Sequence, residues 1–166
     1  MRTVSCLTED RSPAVSRSGA KREGPVVLKV VKLINTHCHI DHVFGNAFVK
    51  KKFQVSLYIH PEDEATLRSV EVYAPAYGFQ DYQTTEADEF FQEGEKVKFG
   101  NSELDILFAP GHAPGHVVLV NLQEKICIGG DVLFDGSIGR TDLPGGDFDT
   151  LIQSIHEKLF ALPDEV

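Results

Sequence analysis

The stretch Asn35-Thr36-His37-Cys38-His39-Ile40-Asp41-His42 places three imidazoles and one carboxylate within six positions. The apolar, β-branched residues 26–34 lead into it and predict a buried strand, so the cluster follows a strand end. His37 and His39, two apart in an extended chain, then point the same way. Imidazole and carboxylate groups are ligands of zinc and of non-haem iron, and packing four of them together is costly without a cation. The stretch predicts a metal centre with room for two adjacent metals, the second facing Asp41 and His42.

Two later segments repeat the same arrangement. His112 follows a predicted strand inside a Pro-Gly bracket, where the backbone can turn sharply and aim one imidazole. Asp131 follows another predicted strand, directly after Gly129 and Gly130. In each case a strand end delivers one ligand to a shared edge. His116 is the rival of His112, but it begins the next strand and fits a supporting role better.

The remaining chain alternates predicted strands and helices. Helices are predicted over residues 43–52, from 61 to about 70 and over 147–162, and strands over 53–59, 95–99, 104–109, 117–122 and 125–128. Residues 72–91 predict a long loop whose aromatic side chains either line a pocket or pack on the surface, and both interpretations stay open. Residues 133–146 predict a glycine-rich loop. His60 ends a strand with no partner in the sequence, which favours a structural role.

Composition narrows the possible partners. Hydrophobic residues make up 42% of the 166 residues, enough for one globular core. We expect an irregular tail over residues 1–24 and a single domain over 25–166. The formal net charge of −9 argues against nucleic acid and against an anionic membrane surface. The sequence contains no long apolar segment that predicts a transmembrane span.

The cysteines indicate the compartment. Cys6, Cys38 and Cys127 lack paired spacing, which favours a reducing environment, and the N-terminal segment lacks the apolar core of a secretory signal. We therefore expect a cytoplasmic protein. The serines and arginines of the first 24 residues leave organelle targeting as the alternative, against which Glu9, Asp10 and Glu23 weigh.

The motifs together resemble the metallo-β-lactamase fold superfamily, in its glyoxalase II-like branch. The matching segments are 36–42, Ala109-Pro110-Gly111-His112-Ala113-Pro114-Gly115-His116, Gly129-Gly130-Asp131 and Gly139-Arg140-Thr141-Asp142, within a region of about residues 26–166. The resemblance implies an α/β fold, the αβ/βα sandwich of two mixed sheets with helices outside and metals at the sheet edges.

The resemblance also assigns site residues by position. It implies that His37, His39 and His112 bind the first metal, that Asp41 and His42 bind the second, and that Asp131 bridges the two. Asp41 and Asp131 are the candidate catalytic residues. It implies two zinc ions, with iron as the alternative.

Two departures from the family pattern lead us to expect an incomplete fold. The family's first strands, with their Asp-Pro-Gly turn, have no match in residues 1–24. Its last ligand, a histidine on the strand after the final helix here, also has no match, so the second metal would lack one ligand. The helical domain that binds glutathione in glyoxalase II is absent too. An incomplete edge favours association with another copy of the chain.

The resemblance implies a metal-dependent hydrolase of a small-molecule thioester or related ester, in which metal-bound hydroxide attacks the acyl carbonyl. Two alternatives stay open. One is a mononuclear iron enzyme that oxidises a persulfide, with His37, His112 and Asp131 as its facial triad. The other is an inactive or merely metal-binding fragment. Arg140 either holds a substrate carboxylate or pairs with a neighbouring aspartate.

Overall fold

The computed structural model describes Ser5–Asp10 and residues 28–166. Its strands form two four-stranded sheets and one small ladder. The first sheet contains β1 (Ser5–Asp10), β2 (Leu28–Ile34), β3 (Leu57–Ile59) and β4 (Glu89–Phe90) in that order. The second contains β5 (Lys96–Phe99), β6 (Ser102–Phe108), β7 (Val117–Asn121) and β8 (Ile126–Ile128). The ladder pairs β9 (Leu133–Phe134) with β10 (Ser137–Ile138).

Strand directions differ between the sheets. β2, β3 and β4 run parallel, and β1 pairs antiparallel with β2. The second sheet is antiparallel throughout. The first sheet is therefore mixed, as expected.

In the described part of the chain, four α-helices and three short helical turns flank the sheets. The α-helices are α1 (Ile40–Val43), α2 (Asn46–Phe53), α3 (Glu64–Tyr73) and α4 (Phe148–Ser154). Two 3₁₀ turns, Pro61–Asp63 and Ala74–Tyr77, precede and follow α3, and a π-helical turn, Ile155–Leu159, continues α4. Within Ser5–Asp10 and residues 28–166, no helix combines the length and apolar character that crossing a bilayer requires.

Three buried clusters show how the layers pack. Ile34 of β2 meets Val97, Ile106 and Leu119 of the second sheet, so the two sheets face each other. On the outer side of the first sheet, Leu33 packs with residues of α1 and α3. On the outer side of the second sheet, buried side chains of β7 and α4 meet in the same way. The order helix, sheet, sheet, helix confirms the predicted αβ/βα sandwich.

Several predicted element boundaries were wrong. The helix over 43–52 is two helices, α1 and α2, separated by Phe44 and Gly45. The strand over 53–59 is only β3, because Phe53 ends α2 and Gln54 caps it with a φ of 55°. The loop over 133–146 contains the β9–β10 ladder.

The predicted tail over residues 1–24 needs a correction at one place. Ser5–Asp10 form strand β1, whose register runs from Ser5 opposite Ile34 to Asp10 opposite Leu28. Edge pairing depends on backbone hydrogen bonds, which need no apolar periodicity. The rest of that segment, and residues 25–27 of the predicted domain, lie outside the described residues. The domain limits stay a prediction.

Candidate metal centre

Strand ends deliver the histidines and the aspartate to one place. The segment with His37 and His39 follows β2, the loop with His112 connects β6 to β7, and Asp131 follows β8 after two glycines. Thr36 accepts a hydrogen bond from the Val117 amide at 2.8 Å, which joins the first segment to the start of β7. The two sheets therefore bring their ligand-bearing segments together at one edge.

Three buried imidazoles converge on a single point. His112 Nε2 lies 3.2 Å from His37 Nε2 and 2.9 Å from His39 Nδ1. These three nitrogens form one of two donor groups that are compact enough to hold a metal ion among the described residues. Two nitrogens on one tetrahedral zinc, each at about 2.0–2.1 Å, lie about 3.3 Å apart. The spacing of the three donors fits such an ion.

The backbone fixes the tautomer of His112. Its Nδ1 lies 2.8 Å from the carbonyl oxygen of Arg140, which only accepts hydrogen bonds, so Nδ1 carries the hydrogen. In the neutral ring Nε2 then presents its lone pair toward His37 and His39. A ligand histidine held through its other nitrogen in this way is the usual arrangement at metal sites. The donor chemistry therefore agrees with the spacing.

The surroundings of His37 and His39 favour their neutral forms. Burial, and then the neighbouring imidazoles, hold the pKa of His37 well below its usual range. Burial and the nearby His112 lower the pKa of His39 to about 4. Uncharged imidazole is the form that binds metals, so the cluster is prepared for a cation.

A second donor group lies beside the first. It consists of His37, His42 and Asp131. One carboxylate oxygen of Asp131 lies 3.5 Å from His42 Nε2, and the other lies 3.6 Å from His112 Nε2. Although burial alone would raise the pKa of Asp131, the neighbouring His42, His112 and His116 hold it below its ordinary value. An ionised carboxylate therefore spans the two groups.

Asp41 is placed differently from the other predicted ligands. Its carboxylate lies 3.6 Å from His42 Nε2, yet it belongs to neither donor group. It occupies the first turn of α1 and is exposed to solvent. The structure thus brings five of the six predicted ligands into the two groups and leaves Asp41 at their rim. The ligand set itself stays a prediction.

His116 takes a supporting position. Its Nε2 accepts a hydrogen bond from the backbone amide of Asp131 at 3.0 Å, so this nitrogen is engaged by protein. Burial and the nearby His112 lower its pKa to about 3. His116 appears in neither donor group, in agreement with the preference for His112. His60 lies outside both groups and stacks on Phe108, with ring centroids 4.2 Å apart.

Two supporting features escaped the sequence analysis. Asn35 and Asn46, both buried, exchange amide hydrogen bonds, and Asn35 also donates to the carbonyl of His42 at 3.2 Å. This pair fixes α1, which carries Asp41 and His42. The second feature is the buried carboxylate of Asp63, which accepts from the Cys38 amide. The position of Asn35 directly before the histidine motif could have indicated its supporting role. Asp63 lies in an acidic run whose composition is typical of an exposed segment, so the sequence does not indicate its burial.

The structure also bears on two questions that the sequence left open: the role of Arg140 and the packing of the aromatic side chains in residues 72–91. Arg140 forms a two-pronged pair with Asp142, through Nε at 2.7 Å and Nη2 at 2.8 Å, and both side chains are exposed. This is the structural pairing, and it leaves the guanidinium at the surface. In residues 72–91, Tyr73, Phe79 and Tyr82 pack partly against the core beside α1, whereas Tyr77 is exposed.

Comparisons with known proteins agree with this geometry. The family model of the metallo-β-lactamase superfamily matches residues 9–166. A hydroxyacylglutathione hydrolase, GloC, of Haemophilus influenzae is 38% identical over 141 residues, which cover 84% of this chain and 66% of that protein. The mitochondrial persulfide dioxygenase ETHE1 of Bos taurus is 29% identical, with 87% of this chain and 51% of that protein covered.

A solved structure is similar over the same region. The di-iron-bound form of TTHA1623 superimposes with a TM-score of 0.72 at 30% identity, covering 83% of this chain and 66% of that one. The matched part of this chain thus spans about two thirds or less of each of these three proteins.

Proposed function

We propose that this chain, which belongs to the metallo-β-lactamase superfamily, is a metal-dependent hydrolase of a thioester or related ester. The observation that carries the proposal is the convergence of His37, His39 and His112, with the Asp131 carboxylate reaching from this triad to His42. Family members act as metal-dependent enzymes on small molecules, and a small-molecule substrate is proposed here as well. Association with another copy and a cytoplasmic location stay predictions.

The proposed ligands divide between two zinc ions. His37, His39 and His112 would hold the first, Asp41 and His42 the second, and Asp131 would lie between them. A divalent metal held by these residues would supply Lewis acidity and would lower the pKa of a water bound to it to about 7. Iron is the alternative metal, since TTHA1623 has a di-iron-bound form.

The two aspartates have different tasks in this proposal. The partly exposed Asp131 carboxylate is ionised at neutral pH and can accept a hydrogen bond from an attacking water, which orients that water. Asp41, at the solvent rim beside His42, is placed to take a proton from the site to bulk water. Both carboxylates thus act as acceptors rather than as acids.

The substrate class follows from what the centre lacks. Every imidazole of the proposed ligand set is assigned to a metal, and His116 is fully buried with its Nε2 accepting from the Asp131 amide, so the proposal assigns no described side chain of the centre to protonate a leaving group. A thiolate departs without such help, unlike the amine of an amide. The hydroxyacylglutathione hydrolase relative supports this class. Specificity for glutathione is not part of the proposal.

The test is turnover of S-lactoylglutathione as a thioester probe by the zinc-loaded chain. His37→Ala and Asp131→Ala should each lower kcat/KM at least 100-fold and lower the zinc content. His156→Ala is the matched control, because His156 is an exposed histidine on the π-helical turn outside the centre. Unchanged turnover in both site variants would overturn the proposal, as would a wild-type chain without bound metal, which would favour an inactive fragment.

One observation favours a second candidate function. His37, His112 and Asp131 lie within the combined groups as two imidazoles and one carboxylate, the facial triad of non-haem iron enzymes. The persulfide dioxygenase relative supports an iron-dependent persulfide oxidation. One iron per chain, together with oxygen uptake on glutathione persulfide, would decide for this candidate. Two zinc ions and no oxygen uptake would decide against it.

A further inference from the structure

A buried carboxylate lies behind the histidine triad. Asp63 ends the 3₁₀ turn between β3 and α3 and has no exposed surface. Its Oδ2 accepts a hydrogen bond from the Cys38 amide at 2.5 Å, and its Oδ1 accepts one from the Gly115 amide at 3.1 Å. The Cys38 and Thr66 side chains lie near it and help to offset the rise in its pKa that burial causes. Two backbone amides on one fully buried carboxylate make it a fixed point of the structure.

The two amides belong to the two loops that carry the triad. Cys38 lies between His37 and His39, and Gly115 lies three residues after His112. The two donors are 25 and 52 residues away from Asp63 along the chain, so the carboxylate joins segments that sequence proximity does not hold together. Its position therefore sets the distance between the two loops.

That distance matters because metal ligands tolerate little error. Ligand side chains must be held to within about 0.5 Å of productive geometry. A backbone bond from the Val117 amide to the Thr36 carbonyl, at 2.8 Å, also ties the two loops. Asp63 supplies further ties, at Cys38 and Gly115 rather than at Thr36 and Val117. Without them the loops would be joined less firmly, and the separation of His37 and His112 would be free to vary.

The packing around Gly115 supports the same role. A Cβ at position 115 would overlap the backbone nitrogen of Asp63 and lie 2.5 Å from its Cβ. Only glycine lets the His112 loop approach the carboxylate closely enough for its amide to donate. The cysteine between the two first histidines is likewise turned toward Asp63 and the core, away from the triad.

We propose that Asp63 is a positioning residue, which holds the His37–His39 segment and the His112 loop at the separation that a metal ion needs. The inference rests on the proposed metal centre, because it assigns Asp63 to the geometry of that centre. Asp63 does not touch the metal or the substrate in this proposal.

The test is Co²⁺ binding by Asp63→Asn, measured under conditions where circular dichroism shows the variant folded. The amide keeps the size of the carboxylate, but its nitrogen cannot accept, so one loop amide loses its partner. Loss of an outer partner of a ligand typically costs about 10–100-fold in metal affinity, and we expect a loss in that range. The cobalt d–d spectrum should also change, which a role in stability alone would not cause.

Asp88→Asn is the matched control. Asp88 accepts from the Leu57 amide at 2.7 Å and pairs with Lys50 at 2.6 Å, away from the histidines, so the variant loses the same kind of bond without touching either loop. Its Co²⁺ affinity should stay within twofold of wild type. If Asp63→Asn does not fold, Thr66→Val replaces it, because it removes a polar group beside the carboxylate, and we expect a smaller loss of Co²⁺ affinity.

The outcomes separate the two proposals. Equal Co²⁺ affinity and equal spectra in the folded Asp63→Asn variant, or in Thr66→Val where it is used instead, would overturn the inference and leave the metal centre standing. No Co²⁺ binding by the wild-type chain would overturn the centre and, with it, the role of Asp63. Thioester turnover is scored on the zinc-loaded wild type, so its failure would leave the positioning role supported by the affinities.

Discussion

The two halves of the candidate centre are built differently. The triad half consists of His37, His39 and His112, which are all buried, and the Arg140 carbonyl aligns His112. The rim half consists of His42, Asp131 and Asp41. Their side chains are progressively more exposed to solvent, at 6%, 28% and 55%. A buried, fixed set of donors needs little reorganisation to bind a metal, whereas an open one leaves room for water and substrate. Under the proposed function, the triad would anchor the first metal and the rim would be where chemistry begins.

Removing one ligand from each half tests this comparison most strongly. His112→Ala should weaken zinc binding at the tighter site by more than about 100-fold, because it removes a ligand rather than an outer partner. Asp41→Ala should leave the zinc affinity of that tighter site within about tenfold of wild type and should weaken only the binding of the second zinc ion. A competitive zinc titration that resolves the two steps measures both effects. Equal losses at the tighter site would mean that the two halves are not distinct.

A glycine at the junction of the halves gives the next largest effect. A Cβ at Gly139 would overlap the carbonyl oxygen of Asp131 and lie 3.1 Å from His112 Nδ1. Gly139→Ala should therefore disturb both halves and lower the free energy of unfolding by about 1–3 kcal/mol, as overpacking usually does. Chemical denaturation and zinc titration are the measurements.

Gly129→Ala is the matched control for this change. A Cβ at Gly129 meets nothing within 4 Å, although the residue lies in the same strand-end segment as Asp131. The variant should stay within about 0.5 kcal/mol of wild type in stability and bind zinc normally. If both alanines behave alike, close packing at Gly139 does not hold the centre together.

The motifs in the sequence were sufficient to predict the triad half, and the family resemblance predicted the layers. His37, His39 and His112 each follow a predicted strand, and strand ends at one sheet edge meet whatever the loops between them do. Predicting the rim half was harder. Asp41 lies on the short helix α1, whose orientation depends on the buried Asn35–Asn46 pair, and no local pattern reports which polar side chains become buried.

The same limit explains what was missed elsewhere. Asp63 stands in the run Pro61-Glu62-Asp63-Glu64, where the sequence indicates only favourable charges at a helix start. Its burial depends on loops 25 and 52 residues away, which are tertiary partners. Strand β1 was missed because an edge strand is held by backbone bonds, and these leave little trace in composition.

Acid should separate the two halves without any substitution. In the unfolded chain a histidine has a pKa of about 6.5, whereas the folded protein lowers the pKa of His39 to about 4. Between these values the unfolded state binds more protons, so the stability of the metal-free protein is full above pH 6.5 and is lost as the pH falls toward 4. Each histidine with a lowered pKa reduces the free energy of unfolding by up to about 1.4 kcal/mol for each pH unit of this fall. The pKa of Asp131 is lowered from 3.8, so its share is lost only at still lower pH.

Urea unfolding of the metal-free chain at pH 7.5, 6.5, 5.5 and 4.5 would measure this loss. His39→Asn removes one titrating ring of the triad, so its free energy of unfolding should fall less steeply with decreasing pH than that of the wild type. His156→Gln leaves the cluster intact and should show the wild-type dependence on pH. A free energy of unfolding that stays constant from pH 7.5 to 4.5 would show that protonation of His37 and His39 is not costly. These two rings would then lack the buried, neutral character that distinguishes them from the rim, because a histidine that charges freely is not held in a dry site.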